Sequence, residues 1–163
     1  MSDIIYRLPP YRIRTILTAQ QLGQRLPWAI SKYDIPSLWP IGNYGQDIVV
    51  AILDSGCDLD AQDLRENILD AKDFTNSTFG PRDQLGHGTW CASTIAALDN
   101  SFGAVGVGPR VKIVVVKVLG SDGSGRSSWI AAGIRWCIQR GGIHAISMSL
   151  GSPSRDSGIA AAC

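Results

Sequence analysis

The stretch Asp47-Ile48-Val49-Val50-Ala51-Ile52-Leu53-Asp54-Ser55-Gly56 decides the fold of this chain. Its six successive apolar residues, rich in branched side chains, predict a strand covered on both faces, as in the centre of a parallel α/β sheet. The strand delivers an acid, Asp54, into a turn, and ligands gather at the carboxyl ends of strands in such sheets. A carboxylate there is costly unless it serves a partner, although an Asp that begins a turn is also common. The stretch alone leaves both interpretations open.

Two further apolar runs, residues 111–119 and 143–150, predict two more buried strands. Apolar side chains at helical spacing predict one helix over residues 87–97 and a second one that ends before residue 143. Strands alternating with helices predict a parallel sheet with helices on both faces. A last helix starts at Ser157 and breaks off at Cys163, so we expect a partial domain, truncated after the third main strand.

Local signals predict several details of the helices. Ser127 or Ser128 is expected to cap the second helix, and Gly141-Gly142 to end it. Trp90 is expected on the apolar face of the first helix. All five tryptophans are expected to make core and wrapping contacts. They are Trp28, Trp39, Trp90, Trp129 and Trp136.

Composition excludes several classes of protein. The 163 residues are 45% hydrophobic and 18% charged, with a formal net charge of +1, which is globular and carries no basic excess of the kind that binds nucleic acid. The sequence shows neither a signal peptide nor a membrane span, so we expect no membrane association and a cytoplasmic location. The four cysteines are widely separated and are expected to be reduced thiols that behave as small apolar side chains.

A second informative stretch is Leu85-Gly86-His87-Gly88-Thr89. Glycines on both sides leave the imidazole of His87 uncrowded and let another backbone pass close by. A nearby carboxylate would fix its tautomer, so Asp54 and His87 together form the orienter and the base of a nucleophilic triad. A metal-dependent hydrolase is disfavoured, because two histidines and no cluster at ligand spacing do not build a zinc site.

Three motifs occur in the order and at about the spacing of the subtilisin family of serine peptidases. They are Asp54-Ser55-Gly56, Gly86-His87-Gly88-Thr89 and Ser147-Met148-Ser149-Leu150-Gly151, supported by Val116-Lys117-Val118-Leu119-Gly120 and Trp129-Ile130. The chain resembles this family over roughly residues 24–163, and residues 1–23 form an N-terminal extension. The resemblance implies a subtilisin-like three-layer fold in which a parallel sheet is flanked by helices.

The resemblance also assigns roles to residues. It implies that Asp54 orients His87, that His87 is the general base, and that the substrate backbone pairs with two edges of the chain. The implied substrate-binding residues are Leu119, Gly120, Gly123, Gly125, Ser149, Leu150 and Gly151. Leu119 and Leu150 would line apolar pockets.

The family's nucleophile and oxyanion-hole Asn match no residue of this sequence. As written, the chain is therefore expected to be inactive as a peptidase, and two hypotheses stay open. One is that it belongs to a serine endopeptidase that hydrolyses intracellular proteins, with Asp54 and His87 as two members of the triad. The alternative is a catalytically dead or split remnant that binds peptides or calcium.

The loop Leu98-Asp99-Asn100-Ser101-Phe102-Gly103-Ala104 resembles the calcium loop of the family. The implied ligands are all oxygen donors, which suit a hard cation. They are the side chains of Gln24, Asp63 and Asn100 and the carbonyls of Leu98, Phe102 and Ala104.

The N-terminus resembles the extension of bacterial intracellular subtilisins, whose Leu-Ile-Pro-Tyr motif covers the active site. Leu8, Pro10 and Tyr11 match that motif, whereas Pro9 replaces its second residue. The resemblance implies that this extension lies in the cleft as an autoinhibitory segment, and it suggests a homodimer. A disordered Pro-containing tail is the competing interpretation.

Overall fold

The structure, a computed structural model, describes residues 3–10 and 23–163. Its centre is a parallel sheet of four strands in the order β3-β4-β2-β6. These strands are β2 (Val49–Asp54), β3 (Ile68–Asp73), β4 (Lys112–Lys117) and β6 (Ala145–Ser147). The prediction of a parallel α/β sheet built around the 47–56 stretch is confirmed.

The alternation of side chains along β4 shows why its sequence is apolar throughout. Ile113 and Val115 pack on one side with α3 (His87–Ala96), whereas Val114 and Val116 pack on the other side with α4 (Ser127–Arg140). Because the sheet is covered on both faces, the last four residues of β2 and the last five of β4 are buried, and only the first positions of these two strands are partly exposed. The three-layer arrangement expected from the sequence is therefore present.

The remaining elements are short. Helices α1 (Trp28–Lys32) and α2 (Ile35–Leu38) precede β2, and α5 (Ser157–Ala160) follows β6. A second, two-stranded sheet pairs β1 (Ile5–Arg7) with β5 (Ser124–Arg126) in antiparallel register. Two 3-10 turns, Asn43–Gly45 and Arg65–Asn67, complete the described elements.

The predicted capping of α4 by Ser127 or Ser128 is wrong. Arg126 occupies the N-cap position in an extended conformation, and Ser127 is already the first residue of the helix. The Ser127 hydroxyl instead accepts a hydrogen bond from the backbone N–H of Ile4, at 3.1 Å. The predicted end of the helix is confirmed, since Gly141 stands at its C-cap with a φ of 69°.

The expectation for the tryptophans is wrong at two positions. Trp28 and Trp90 are 72% and 65% exposed, so α3 buries Cys91, Ala92 and Ala96 and not Trp90. Trp39 and Trp136 do make the expected contacts, through stacking on Tyr44 and an edge contact with Phe74. The predicted third strand is also shorter than residues 143–150, because pairing with β2 covers only Ala145–Ser147.

Candidate active site

The structure brings Asp54 and His87 together at the carboxyl edge of the sheet. Asp54 is the last residue of β2 and is 1% exposed, and His87 is the first residue of α3 and is 5% exposed. The Nδ1 atom of His87 lies 2.8 Å from Oδ1 of Asp54. With the carboxylate ionised, this contact fixes the proton on Nδ1 and leaves the lone pair on Nε2, the arrangement required of a general base.

Glycine is required next to His87 because two backbones approach each other there. A Cβ at Gly88 would lie 2.1 Å from the carbonyl oxygen of Gly56 and 3.2 Å from Cβ of Asp54. Gly86 before it has a φ of 89°, a left-handed conformation that suits glycine, at the N-cap of α3. The two glycines thus let the start of α3 sit directly against the turn after β2.

A third carboxylate, Asp83, joins these two segments. Its Oδ1 accepts hydrogen bonds from the Ser55 hydroxyl and from the N–H groups of Leu85 and Gly86, each at 2.9 Å. Its Oδ2 accepts from the N–H and the hydroxyl of Thr89, at 2.9 and 2.7 Å. Burial alone would raise the pKa of Asp83, but these hydrogen bonds outweigh it and hold the pKa below its usual range.

Lys117 places a buried cation beneath the same turn. It is 1% exposed, and its Nζ donates to the carbonyl oxygen of Ser55. Burial lowers the pKa of Lys117, although the carboxylates of Asp83, Asp73 and Asp54 oppose this effect. Sequence analysis assigned no role to Asp83 or Lys117. The position of Asp83, four residues before His87, was the sequence feature that could have indicated its role.

The N-terminal segment lies along a cleft next to this pair. Tyr6 pairs with Gly125 of β5, and the backbones of Arg7 and Gly151 exchange two hydrogen bonds of 3.0 and 3.1 Å. The N–H of Leu8 donates to the carbonyl of Gly123 at 3.2 Å. The segment is therefore held between two extended edges of the chain, as a peptide that adds a strand to each of them.

The predicted substrate-binding residues fall into three groups. Gly123, Gly125 and Gly151 contact the N-terminal backbone directly. Ser149 and Leu150, together with Pro9, line an open cleft of about 590 Å³. Leu119 is fully buried in the cluster against which Tyr6 and Leu8 pack, so it does not line the open cleft as predicted, and the N–H of Gly120 donates to the carbonyl of Ser124.

The side chains of residues 5–8 alternate between the core and the solvent. Tyr6 and Leu8 are half-buried and pack against the α4 side of the core, whereas Ile5 and Arg7 point outward. Residues 5–7 form a strand that sequence analysis did not predict, since the segment has no strong period of its own. Tyr11 lies outside the described residues.

The residues predicted to bind calcium also come together. Asn100 donates to Oδ1 of Asp63 at 2.8 Å, and Gln24 donates to the carbonyl of Leu98 at 3.3 Å. The loop is joined to residues 23–25 by backbone bridges at Phe102 and Ala104. A Cβ at Gly103 would lie 2.3 Å from Oδ2 of Asp63, so the loop closes tightly over that carboxylate.

Cys91 is a further residue at the site that sequence analysis missed. It follows His87 by one helical turn, and its Sγ lies 3.8 Å from Nδ1 of His87. Burial, foremost, raises the pKa of Cys91 to about 11, so it is a neutral thiol at neutral pH.

All four cysteines are free, as expected; Cys163 is exposed and the others are buried. The second histidine, His144, is exposed and accepts a hydrogen bond from the N–H of Val49.

The buried Asp54–His87 pair has the geometry of an orienter and a base. The model of the subtilase family of peptidases matches residues 45–163. The chain belongs to the subtilase family.

Individual relatives agree with this assignment. The chain is 41% identical over 155 residues to the major intracellular serine protease of Bacillus subtilis, and the alignment covers 91% of this chain and 47% of the relative. It is 38% identical over 148 residues to an intracellular serine protease of Paenibacillus polymyxa, covering 88% and 44%. Subtilisin E of Bacillus subtilis is 42% identical over 137 residues, covering 83% and 35%. The chain thus spans less than half the length of these relatives.

Proposed function

We propose that this chain supplies the Asp and His of a serine endopeptidase. In this proposal His87 takes the proton of a serine hydroxyl, from a segment outside residues 1–163, as its oxygen attacks the peptide carbonyl. The carbon–nitrogen bond then breaks, and His87 returns the proton to the leaving amine. Asp54 holds the imidazole in the required tautomer throughout. The observation that carries the proposal is the 2.8 Å contact between Asp54 and His87.

Peptide hydrolysis by the product of the complete reading frame tests this proposal. Replacing His87→Ala removes the general base and should lower kcat/KM by about 10² to 10⁴-fold. Asp54→Asn should have an effect in the same range, because an amide does not select the Nδ1–H tautomer. The matched control is His144→Ala, which removes an exposed histidine far along the chain and should leave kcat/KM unchanged. Equal activity of His87→Ala and His144→Ala would refute the proposal.

We further propose that the N-terminal extension occupies the cleft and competes with substrate. Backbone pairing of residues 5–8 with β5 and Gly151 supports this role, because a substrate peptide would need the same donors and acceptors. Pro9 and Pro10 follow immediately and carry no N–H groups, which suits a segment that docks without further pairing.

A pair of variants at one residue separates the backbone contact from the side chain. Arg7→Pro removes the N–H that donates to Gly151, whereas Arg7→Ala keeps it. Loss of this hydrogen bond, worth about 1 kcal/mol, should raise the rate of hydrolysis about fivefold at substrate concentrations below KM. Arg7→Ala should change the rate much less. If both variants behave like the parent protein, the segment does not compete.

Calcium is proposed as the structural cation of the loop around Asn100. The donor set suits a hard cation, since it consists of one carboxylate, two side-chain amides and three carbonyls. Asp63 accepts hydrogen bonds from the Asn100 amide and the Ala104 N–H, and the Gln24 amide donates to the Leu98 carbonyl, which supports a common site. The residues that would hold it are those predicted from the sequence: Gln24, Asp63, Leu98, Asn100, Phe102 and Ala104. A bound ion would hold the loop to residues 23–25.

We infer a cytoplasmic location and protein or peptide substrates. Two relatives are named as intracellular proteases, and their names support the proposed location. In the described ranges, no helix combines the length and the apolar character needed to span a bilayer.

A further inference from the structure

The N-terminal extension continues its pairing beyond β5, up to the start of α4. The backbone N–H of Ile4 donates to the Ser127 hydroxyl at 3.1 Å, and the N–H of Ser127 donates to the Ile4 carbonyl at 2.8 Å. One residue further, the Asp3 carboxylate accepts a hydrogen bond from the N–H of Ser128 at 3.2 Å. None of these residues belongs to the substrate-binding set predicted from the sequence. The surface that holds the extended peptide is therefore longer than that set implies.

Helix α4 supplies no negative charge of its own at its N-terminus. Its N-cap residue, Arg126, is basic and makes no capping hydrogen bond with its side chain, and the first turn contains no acidic residue. A helix of 14 residues carries a partial positive charge at this end, where a carboxylate is favourable. Asp3 brings that carboxylate from 125 residues away in the sequence. The position is thus filled by a side chain of the docked segment and not by the helix itself.

The surroundings of Asp3 favour a carboxylate as well. Asp3 lies in an open cavity of about 480 Å³ that two basic residues, Arg135 and Arg155, also line. Asp156 is a further acid of this cavity, but its Oδ1 accepts two hydrogen bonds from backbone N–H groups of α5 and caps that helix. Two arginine charges against this one acid leave the cavity positive before Asp3 enters. Its electrostatics therefore select an acidic side chain over a neutral or basic one.

We propose that the N-terminus of α4, with Arg135 and Arg155, forms a binding site for an acidic side chain of a peptide held in the cleft. The site reads the residue three positions before the one that pairs with Gly125, which in the extension is Asp3 before Tyr6. Substrates should carry Asp or Glu at this position, and this part of the inference rests on the proposed peptidase function. Binding of the extension through Asp3 does not depend on catalysis.

Amide hydrogen exchange in the product of the complete reading frame tests the site without catalysis. The N–H groups of Arg7 and Leu8 are hydrogen-bonded in the docked segment, so their protection reports how firmly it is held. Asp3→Asn keeps the shape of the side chain and removes its charge, which should lower the protection of both amides about two- to fivefold. The effect should shrink in 1 M salt, where the screening length is only about 3 Å.

A matched control separates a site from a general effect of charge. The double variant Ser2→Asp/Asp3→Ser moves the acid by one residue and leaves the composition and net charge of the extension unchanged. It should lose protection of the Arg7 and Leu8 amides as Asp3→Asn does, because the carboxylate no longer stands at the position that meets the Ser128 N–H. Full protection in this double variant would show that only net charge matters and would overturn the site.

Substitution of the helix tests the same contact from its other partner. Ser128 is exposed, and Ser128→Asp places a negative charge in the first turn of α4, which stabilises the helix but repels an acidic ligand. Ser128→Asn is the neutral control of the same shape. Protection of the Arg7 and Leu8 amides should fall in Ser128→Asp and stay near that of the parent protein in Ser128→Asn. Equal protection in the parent protein, Asp3→Asn and Ser128→Asp would overturn the proposal.

Hydrolysis of paired peptides extends the test to substrates. Two internally quenched peptides share the sequence of residues 4–8, Ile-Ile-Tyr-Arg-Leu, and differ only in the residue before it, which is Asp or Asn. The extension competes equally with both peptides, so its effect cancels in the ratio of their kcat/KM values. We expect a ratio of about two to five in favour of Asp, arising mainly from KM, and a ratio of one or less in Ser128→Asp.

The site and the peptidase function fail in different ways. Loss of protection in Asp3→Asn without any peptide hydrolysis would leave the site standing and reject the peptidase. Hydrolysis with an Asp-to-Asn ratio of one, together with unchanged protection in Asp3→Asn, would reject the site alone. Lost protection with a ratio of one would confine the site to the extension and overturn the preference for acidic substrates.

Discussion

Asp83→Asn is the substitution that most sharply tests how the turn after β2 is attached to α3. The Asp83 carboxylate accepts five hydrogen bonds, three at Oδ1 and two at Oδ2. An Asn of the same shape has one oxygen, so its NH₂ group must face N–H or O–H donors. At least two hydrogen bonds to a charged group are lost, at about 1.5–3 kcal/mol each, which predicts a destabilisation of about 3–6 kcal/mol.

Urea unfolding followed by tryptophan fluorescence measures this effect. With an m-value of ~2 kcal/mol/M, the midpoint should fall by about 1.5–3 M. Asp60→Asn is the control, because Asp60 pairs with Arg82 at the surface, where its side chain is 77% exposed. Such a pair contributes about 0–1 kcal/mol, so this midpoint should barely move.

Acid titration provides an independent check of the same reasoning. The pKa of Asp83 is lower in the folded protein than in the unfolded chain, so the unfolded chain binds more protons as the pH falls. The stability that Asp83 confers is complete above the unfolded pKa of about 4 and is lost as the pH falls through the folded pKa. The difference between the parent protein and Asp83→Asn should therefore shrink in that acid range. A destabilisation below about 1 kcal/mol at neutral pH, no larger than that of Asp60→Asn, would refute the role of Asp83.

Three further substitutions or treatments follow from the structure. Gly88→Ala should destabilise by about 1–3 kcal/mol and displace His87, because its Cβ would collide with the Gly56 carbonyl; thermal melting measures this, and Ser93→Ala on the same helix is the control. Asn67→Ala should cost about 2–4 kcal/mol in urea unfolding, since its buried amide donates to the carbonyls of Ala96 and Pro109, both at 2.8 Å; the exposed Gln84→Ala should cost almost nothing. Chelation of calcium should lower Tm by about 10 °C if the loop is saturated about 1,000-fold above Kd, and Asp63→Asn should melt at the same temperature with or without the chelator. An unchanged Tm on chelation would reject the calcium proposal.

Sequence reasoning succeeded where one kind of signal dominated. The apolar run ending at Asp54 indicated a strand covered on both faces, and β2 is central in the sheet. The glycines around His87 indicated a close backbone approach, which the contact of Gly88 with Gly56 confirms. Such local rules hold because burial and backbone sterics act on few residues at a time.

The missed features depend on contacts between distant parts of the chain. Ser127 looks like a cap, but the docked N-terminal segment uses its hydroxyl. Trp90 fits the apolar period of α3, yet the helix turns smaller side chains toward the sheet and leaves the ring exposed. Strand β1 has no sequence period that would predict it. Its extended backbone follows from pairing with β5 and Gly151, which are distant in the sequence. The meeting of Cys91 with Asp54 and His87 likewise exists only in the folded chain.

The most direct test of the central claim is to label the product of the complete reading frame with a fluorophosphonate and to locate the label by mass spectrometry. We predict one labelled serine, from a segment outside residues 1–163. Labelling should be lost in His87→Ala and retained in His144→Ala. A protein that takes up no label, or that is labelled equally in both variants, would contradict the assignment of Asp54 and His87 to a serine peptidase.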